Sequence, residues 1–426
     1  MIKIVLLLVV SLVFVSCSQQ EPTPRGINKK AFDEEDTYIL FALRAEQIQD
    51  HKTASDLFMT LYVKSDKKEY LYRSFENDLV AKKYRKVIER VDILSKDEPF
   101  DAFLTRFKVV SLFELGELDK AINLSVTLAA TTKDPQDYLL TSDIYVKRYE
   151  YDLAVRYLES AYVKEHNEKI LDKMSIVLYV NLNRKKEAIA HLETHSRMLG
   201  CTKLVCSRLI AFYSNENDIE GLLGTYLRLY EVEKTDKIAK KIIQIYTYKQ
   251  DYMALMSFLE KSKADNAVLL QLYASTKNYE KAYPLADILY EESSDPEYVG
   301  QSAIFEYESA VDKNSTTMLL SVVSKLESAI SSEKKPIYLN YLGYILIDHE
   351  LDVLKGIKYI KEVLLLRPDS AYYLDSLAWG YYKLGKCKKA KDVMNEVVRL
   401  EGSDEPEVLL HIDAIDRCNK KKKGKK

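Results

Sequence analysis

The sequence contains few of the residues that reverse the direction of a chain. Glycine and proline together account for 21 of 426 residues, whereas average composition would give roughly 50. A sandwich or barrel of short strands needs glycine or proline at most corners, so this scarcity excludes those folds. An apolar content of 47% excludes a disordered chain, and a net charge of −2 argues against nucleic acid as a partner. What remains is a long, mostly helical protein, built either as several domains or as one repeat array.

Residues that carry out chemistry are also scarce. The chain has six histidines, and it shows neither a glycine-rich phosphate loop nor a Gly-x-Ser-x-Gly motif. His191 and His195 lie four residues apart on a helical pattern and could share a metal ion. However, Glu193 between them is not placed as in the zincin motif, and no third ligand is evident from the sequence. We therefore expect no metal, no cofactor and no enzymatic activity.

The first residues have the pattern of a secretory signal. Lys3 precedes an apolar run over residues 4–15 with one serine in it, which is shorter than the ~20 residues that span a bilayer. The segment Phe14-Val15-Ser16-Cys17 resembles the lipobox of bacterial lipoproteins. This resemblance implies that residues 1–16 are a signal peptide and that Cys17 carries acyl chains such as palmitate. An ordinary signal peptide and a short membrane anchor are the alternatives.

The same resemblance implies a location. Ser18, rather than aspartate, follows the cysteine, and in the Gram-negative sorting pattern this implies the periplasmic face of the outer membrane. Residues 17–33 are polar and lack an apolar period, so we expect a flexible tether there.

Beyond residue 33 the chain is helical in pattern and repeats every 33 or 34 residues. Small or apolar markers recur at Ala54, Val87, Ala121, Ala154, Ala188, Leu222, Leu255, Ala282, Gly356 and Ala390. A second series supports the same register, with Tyr145, Tyr179, Tyr213, Tyr246, Tyr273 and Tyr381 in equivalent places. The marker spacing fails over residues 283–335, which suit either one degenerate repeat, with helices near 297–310 and 316–331, or a seam between two sub-arrays.

This helix-turn-helix period resembles the tetratricopeptide repeat. The resemblance implies an all-α, right-handed superhelical α-solenoid of about ten to eleven helix pairs over residues 34–402. A capping helix is expected at 403–418, because the last repeat otherwise exposes its apolar face. The Lys-rich tail at 419–426 is interpreted as a solvated segment or as a contact to an anionic surface.

Two disulfides are predicted, since a periplasmic location permits them. Antiparallel neighbouring helices would bring Cys387, at the start of the last second helix, close to Cys418 at the end of the cap. Cys201 and Cys206 face each other across a turn. Buried free thiols are the alternative.

First helices line the inner wall of tetratricopeptide arrays, so the family pattern identifies a candidate partner-binding surface near the C-terminus. Its residues are Asn340, Tyr344, Ile347, Tyr372, Asp375, Trp379, Tyr382 and Lys383. Aromatic rings beside polar groups are typical of binding hot spots, although the same residues could instead pack against the capping helix.

The sequence therefore favours a non-catalytic scaffold that binds protein partners during envelope assembly. The resemblance offers pilus or secretin assembly, outer-membrane protein assembly and polysaccharide export without choosing among them. The alternative is a glycan- or peptidoglycan-binding envelope protein that uses the aromatic surface. Nucleic acid is not expected as a partner.

Overall fold

A computed structural model describes residues 32–96, 100–402 and 405–423. Within these ranges the regular structure is entirely helical, in 23 α-helices, which confirms the predicted all-α class. None of the described helices is both long enough and apolar enough to cross a membrane. The predicted signal peptide, Cys17 and nearly all of the predicted tether lie outside the described residues.

The chain divides into two compact units after Val232. The described part of the first unit contains six helix pairs, the fifth of which has a first helix that continues as a π-helix over Val177–Asn181. The helices are α1 (Glu35–Gln47), α2 (His51–Ser65), α3 (Lys68–Val80), α4 (Tyr84–Leu94), α5 (Ala102–Glu114), α6 (Leu118–Thr132), α7 (Pro135–Lys147), α8 (Tyr151–Glu165), α9 (Glu168–Ile176), α10 (Lys185–Leu199), α11 (Lys203–Asn215) and α12 (Ile219–Val232).

The described part of the second unit contains five helix pairs and a terminal helix. These helices are α13 (Asp236–Lys249), α14 (Tyr252–Ser262), α15 (Asn266–Ser275), α16 (Tyr279–Ser293), α17 (Pro296–Ser309), α18 (Thr316–Ser332), α19 (Pro336–Asp348), α20 (Val353–Leu366), α21 (Ala371–Lys383), α22 (Cys387–Glu401) and α23 (Pro406–Lys423). The eleven pairs agree with the predicted α-solenoid of tetratricopeptide-like repeats.

The repeat markers fix where each second helix begins. Each predicted marker lies three residues after the first residue of a second helix, as Val87 does in α4. Most markers are fully buried, because the first helix of the pair crosses at that point. Leu222 is an exception and is half-buried. There the close approach belongs to Gly221, where an added Cβ would lie 2.4 Å from the ring of Tyr213.

The tightest crossing joins α19 and α20. A Cβ on Gly356 would lie 2.6 Å from the carbonyl oxygen of Gly343, and a Cβ on Gly343 would lie 2.6 Å from Cδ1 of Ile360. Two glycines facing each other let the backbones touch. The marker position at Gly356 therefore requires a small residue for steric reasons.

The turns inside the pairs explain why glycine is rare. A residue with positive φ ends the first helix in most pairs, but it is a glycine only at Gly116 and Gly385. Lysine, glutamine, tyrosine, glutamate and asparagine take the same left-handed conformation elsewhere, as at Lys82 (φ 57°) and Tyr149 (φ 64°). One turn type thus recurs without the residue that best fits it.

The stretch without clear markers forms an ordinary helix pair, α17 and α18, whose bounds match the predicted degenerate repeat. Its core includes Val299, Val322 and Leu326. The division between the two compact units falls at residue 232 and not within 283–335.

The cap is longer than predicted, since α23 runs to Lys423 and takes in much of the expected tail. Val408, Ile412 and Ile415 pack on the last pair, whereas Leu409 is half exposed.

Ion pairs link neighbouring repeats on their polar sides. They join a helix of one repeat to the equivalent helix of the next, because successive repeats stack in register. Examples are Arg73–Glu46 (2.7 Å), Arg208–Asp172 (2.6 Å), Arg228–Glu193 (2.7 Å) and Lys355–Glu327 (2.6 Å).

Candidate partner-binding surface

Trp379, predicted as a contact residue, holds the cap. Its ring stacks on His411 of α23 with centroids 4.0 Å apart, and on Tyr382 at 4.7 Å. Its Nε1 donates to Oδ1 of Asp348 (2.8 Å). Lys383 donates to the backbone oxygen of Asp348 (2.7 Å), and its Nζ lies 5.3 Å from the Trp379 ring. The half-buried residues Trp379, Tyr382 and Lys383 therefore make contacts within the last repeats and with the cap.

Asp375 is also not the accessible residue that the family pattern suggests. It is 8% exposed, and both of its carboxylate oxygens lie 3.0 Å from Nδ1 of His411, which is itself buried. The reason is that α23 lies over this part of α21. Ile347 is likewise fully buried, packed at the α19–α20–α21 crossing. Asp375 and Trp379 therefore pack against the capping helix, which was the alternative to a partner-binding role.

Three further tyrosines lie beside this region and are partly or half exposed. Together with two glutamates they form what we call the tyrosine surface: Tyr341, Tyr344, Tyr372, Glu308 and Glu407. The Tyr341 hydroxyl donates to Glu308 of α17 (3.0 Å), and the Tyr344 hydroxyl donates to Glu407 of α23. Tyr372 is 51% exposed, and both glutamates are exposed. The surface thus gathers side chains from α17, α19, α21 and α23.

The tyrosines of this surface are partly desolvated. Desolvation is the main cause that raises the pKa of Tyr341, Tyr344 and Tyr372, and hydrogen bonds to Glu308 and Glu407 raise the pKa of the first two further. Tyr372 is nevertheless half exposed, so part of its side chain remains accessible to a ligand.

Asn340, which adjoins this surface, has a buried polar atom without a hydrogen-bond partner in the described part of the chain. Asn340 is 1% exposed, and its amide hydrogen-bonds Tyr372, which lowers the pKa of that tyrosine against the larger effect of desolvation. Its Oδ1 has no hydrogen-bond partner among the described residues. An unpaired buried acceptor costs about 1–3 kcal/mol. Asn340 is therefore placed under the surface and not on it, contrary to the contact role predicted for it.

Sequence reasoning missed Tyr341, Glu308 and Glu407. Tyr341 lies in the first half of α19, whereas Glu308 lies at the end of α17, so the two residues are not in equivalent positions of neighbouring repeats. The repeat spacing therefore does not indicate this contact, and Glu308 also lies in the stretch where the markers fail. Glu407 comes from the cap, whose approach to the first helices the period does not specify.

The two histidines, His191 and His195, contact different groups in the structure. His195 is buried, and its Nδ1 lies 2.8 Å from the hydroxyl of Tyr162. His191 lies beside Glu159 and Glu187, with candidate ligand atoms within 4.8 Å of one another, a grouping that does not include His195 and that the sequence did not indicate. The Arg184 guanidinium donates two hydrogen bonds to the Glu187 carboxylate, one of them from Nε to Oε2 at 2.7 Å. A guanidinium already balances this carboxylate.

Both predicted cysteine pairs are disulfides in the structure. Cys201 and Cys206 have Cα atoms 5.3 Å apart, and Cys387 and Cys418 have Cα atoms 5.7 Å apart. The second bridge joins the start of α22 to α23, and Asn419 next to it donates to the backbone oxygen of Cys387 (3.2 Å). The cap is thus held covalently against the last repeat.

One open cleft of about 570 Å³ lies between α4, α5 and α6. Charges of both signs line it, and they already pair within the chain, as Lys120 does with Glu117 (2.8 Å) and Lys108 does with Asp92. The six charged side chains that line the cleft are three of each sign, so the cleft has no net formal charge.

The fold is thus an α-solenoid of tetratricopeptide-like helix pairs, with the tyrosine surface in its second unit. No protein-family model matches the sequence, and no curated protein matches it. Solved structures with a similar helical arrangement include Naa15/Naa10 bound to HypK-THB, at 11% identity and a TM-score of 0.35, covering 79% of this chain. This chain spans 64% of the length of that one.

Two further structures are similar. The APC/C hetero-tetramer Cut9–Hcn1 matches at 11% identity and a TM-score of 0.35, covering 91% of this chain and 97% of that one. The structure "MamA MSR-1 C2" matches at 15% identity and a TM-score of 0.28, covering 47% of this chain and 97% of that one.

Proposed function

We propose that this protein is a non-catalytic adaptor that binds a protein partner on the tyrosine surface of its second unit. The observation that supports this proposal most is the grouping of three tyrosines, Tyr341, Tyr344 and the half-exposed Tyr372, which combine apolar rings with polar hydroxyls. Tyrosine gives large contact area at low conformational cost and is enriched at binding hot spots. Two of the hydroxyls are already oriented by carboxylates, so little side-chain order remains to be lost on binding.

The proposal includes anchoring. Acyl chains on Cys17 would hold the protein at the periplasmic face of the outer membrane, and residues 18–33 would let the folded units stand clear of the lipid. The partner would be an envelope protein in an assembly or export pathway. Labelled palmitate should enter the wild-type protein and not Cys17→Ser. A Cys17→Ser form that kept the label would exclude this anchor.

In-cell photo-cross-linking tests the binding surface. A photoreactive amino acid in place of Tyr372 should give discrete adducts with a partner. Tyr248 on α13 is the matched control, because it is also an exposed tyrosine of the second unit, at 76% exposure. Identical adducts from both positions, or none from Tyr372, would exclude the tyrosine surface as the binding site.

The glycan-binding alternative is weaker on geometric grounds. Sugar rings stack on open aromatic faces, and the Trp379 ring instead stacks on His411 and Tyr382. Retention of the purified protein on peptidoglycan that is lost in Tyr372→Ala, together with no protein adducts from a photoreactive amino acid at position 372, would favour that alternative.

A further inference from the structure

A three-residue arrangement recurs in this protein, and it has a fixed composition. A tyrosine hydroxyl donates to a carboxylate, and a lysine or arginine contacts the same carboxylate. In the clearest example Tyr179 donates to Glu216 (2.6 Å), Lys185 donates to the same oxygen (2.8 Å), and the Lys185 Nζ lies 5.4 Å from the Tyr179 ring centre. The cation thus gains both an ion pair and a cation–π contact.

The same arrangement occurs four more times in the described chain. It centres on Tyr70, Tyr72, Tyr213 and Tyr273. The cation comes from Lys67, Lys68, Arg228 and Lys281 respectively. The Nζ atoms of Lys67 and Lys281 lie 5.8 and 5.6 Å from the Tyr70 and Tyr273 ring centres. In all five examples, therefore, a lysine or arginine side chain binds to the carboxylate of a tyrosine–carboxylate pair.

On the tyrosine surface the cation is missing. Tyr341–Glu308 and Tyr344–Glu407 form the tyrosine–carboxylate half twice. Among the described residues no lysine or arginine forms an ion pair with Glu308 or with Glu407, and both glutamates are exposed. Two half-sites lie on one face of α19, because Tyr341 and Tyr344 are three residues apart.

Charges of both signs lie near this surface, since the Nζ of Lys313 is 4.6 Å from the Tyr307 ring centre and donates to the Tyr307 backbone oxygen. The charged side chains that add to desolvation in raising the pKa of Tyr307, to about 12, are Asp348, Glu308 and Glu407. Glu308 and Glu407 act in the same direction on Tyr372. Lys383 pairs with Asp348 and Lys313 donates to a backbone oxygen, so neither of these lysines forms an ion pair with Glu308 or Glu407.

We propose that the tyrosine surface binds an extended protein segment carrying at least two closely spaced lysine or arginine side chains. This inference rests on the proposed adaptor function and names the chemistry of the partner. Each basic side chain would lie against Tyr341 or Tyr344 and pair with Glu308 or Glu407, completing the arrangement found at Tyr179. Tyr372, half exposed between α19 and α23, would cover the stem of a basic side chain or the backbone beside it.

The test uses the full chain and a fluorescein-labelled peptide of alternating arginine and glycine, with binding followed by fluorescence anisotropy. The same peptide with glutamate in place of arginine should not bind. Glu308→Gln and Glu407→Gln keep an acceptor for each tyrosine hydroxyl and remove only the charge, so folding should be unaffected. Each should weaken binding about five- to tenfold. Glu292→Gln, an exposed glutamate on α16, is the matched control and should bind like wild type.

Two results would overturn the inference. One is equal binding by Glu308→Gln, Glu407→Gln and wild type, and the other is equal binding of the arginine and glutamate peptides. If partner cross-links at Tyr372 persist unchanged in the double glutamine variant, the charge assignment fails while the adaptor function stands. If no cross-links form even in wild type, the adaptor function itself fails.

Discussion

The bridge between Cys387 and Cys418 allows the stability of the cap to be predicted and measured alone. It joins residues 31 positions apart, and closing a loop of that size stabilises by about 3.7 kcal/mol at 25 °C in the chain-entropy model. The Cys201–Cys206 bridge spans 5 positions and corresponds to about 2 kcal/mol. The C-terminal bridge should therefore have the larger effect, and it should act on α22 and α23.

Trp379 makes this effect visible. It is the only tryptophan of the chain, and it stacks on His411 of the cap. Its fluorescence should therefore report detachment of α23. For a urea dependence of ~1–3 kcal/mol per M, a loss of about 3.7 kcal/mol lowers the fluorescence midpoint by at least about 1 M.

The assay compares the oxidised protein with a Cys387→Ser, Cys418→Ser double variant in urea. The matched control is Cys201→Ser with Cys206→Ser, which should leave the Trp379 midpoint in place while lowering the helicity midpoint of the first unit. The reasoning is refuted if the C-terminal variant leaves the fluorescence midpoint unchanged or if both variants shift it equally. Four free thiols besides Cys17 in the unreduced protein would also refute it.

Three further predictions concern packing and pH. His411→Ala removes the ring that stacks on Trp379 and leaves the buried Asp375 carboxylate unpaired. The free energy of unfolding measured by Trp379 fluorescence should therefore fall by about 3 kcal/mol, and a fall below about 1 kcal/mol would contradict the contact between His411 and Asp375. Gly356→Ala should destabilise by about 1–3 kcal/mol, because the new Cβ meets backbone, whereas Gly224→Ala, with open space around it, should stabilise by about 0.5–1 kcal/mol in thermal unfolding. Burial lowers the pKa of His195 from 6.5, so the unfolded chain binds its proton first and stability should fall as the pH drops from about 6.5 towards the folded pKa. His195→Gln should flatten that dependence in urea titrations at several pH values, and an unchanged slope would count against it.

The helical architecture could be predicted from the sequence because it depends on local, repeated requirements. A small or apolar residue is needed where the two helices of a pair cross, so Val87 and its equivalents mark the start of every second helix apart from α18. The length of the stretch without markers suits one helix pair or a seam, and the sequence does not choose between these two alternatives.

The candidate site could be predicted only in part, because it depends on contacts between repeats. Tyr372 and Tyr344 were found from their first-helix positions. Asp375 and Trp379 were assigned to a partner, whereas the cap covers them, and no period in the sequence specifies how a non-repeated helix docks. Glu308 and Glu407 act only through tyrosines on other helices, so neither has a local signal.

The ion pairs that join equivalent helices also bear on how such an array can change length during evolution. The apolar markers are nearly interchangeable, so deletion of one 34-residue unit would leave a continuous core. The charges are not interchangeable, because Arg208 requires Asp172 and Arg228 requires Glu193 in the preceding repeat. A shortened or duplicated array would therefore place unmatched charges at the new junction. Ion pairs such as Arg208–Asp172 and Arg228–Glu193 therefore distinguish one neighbouring repeat from another where the apolar markers do not.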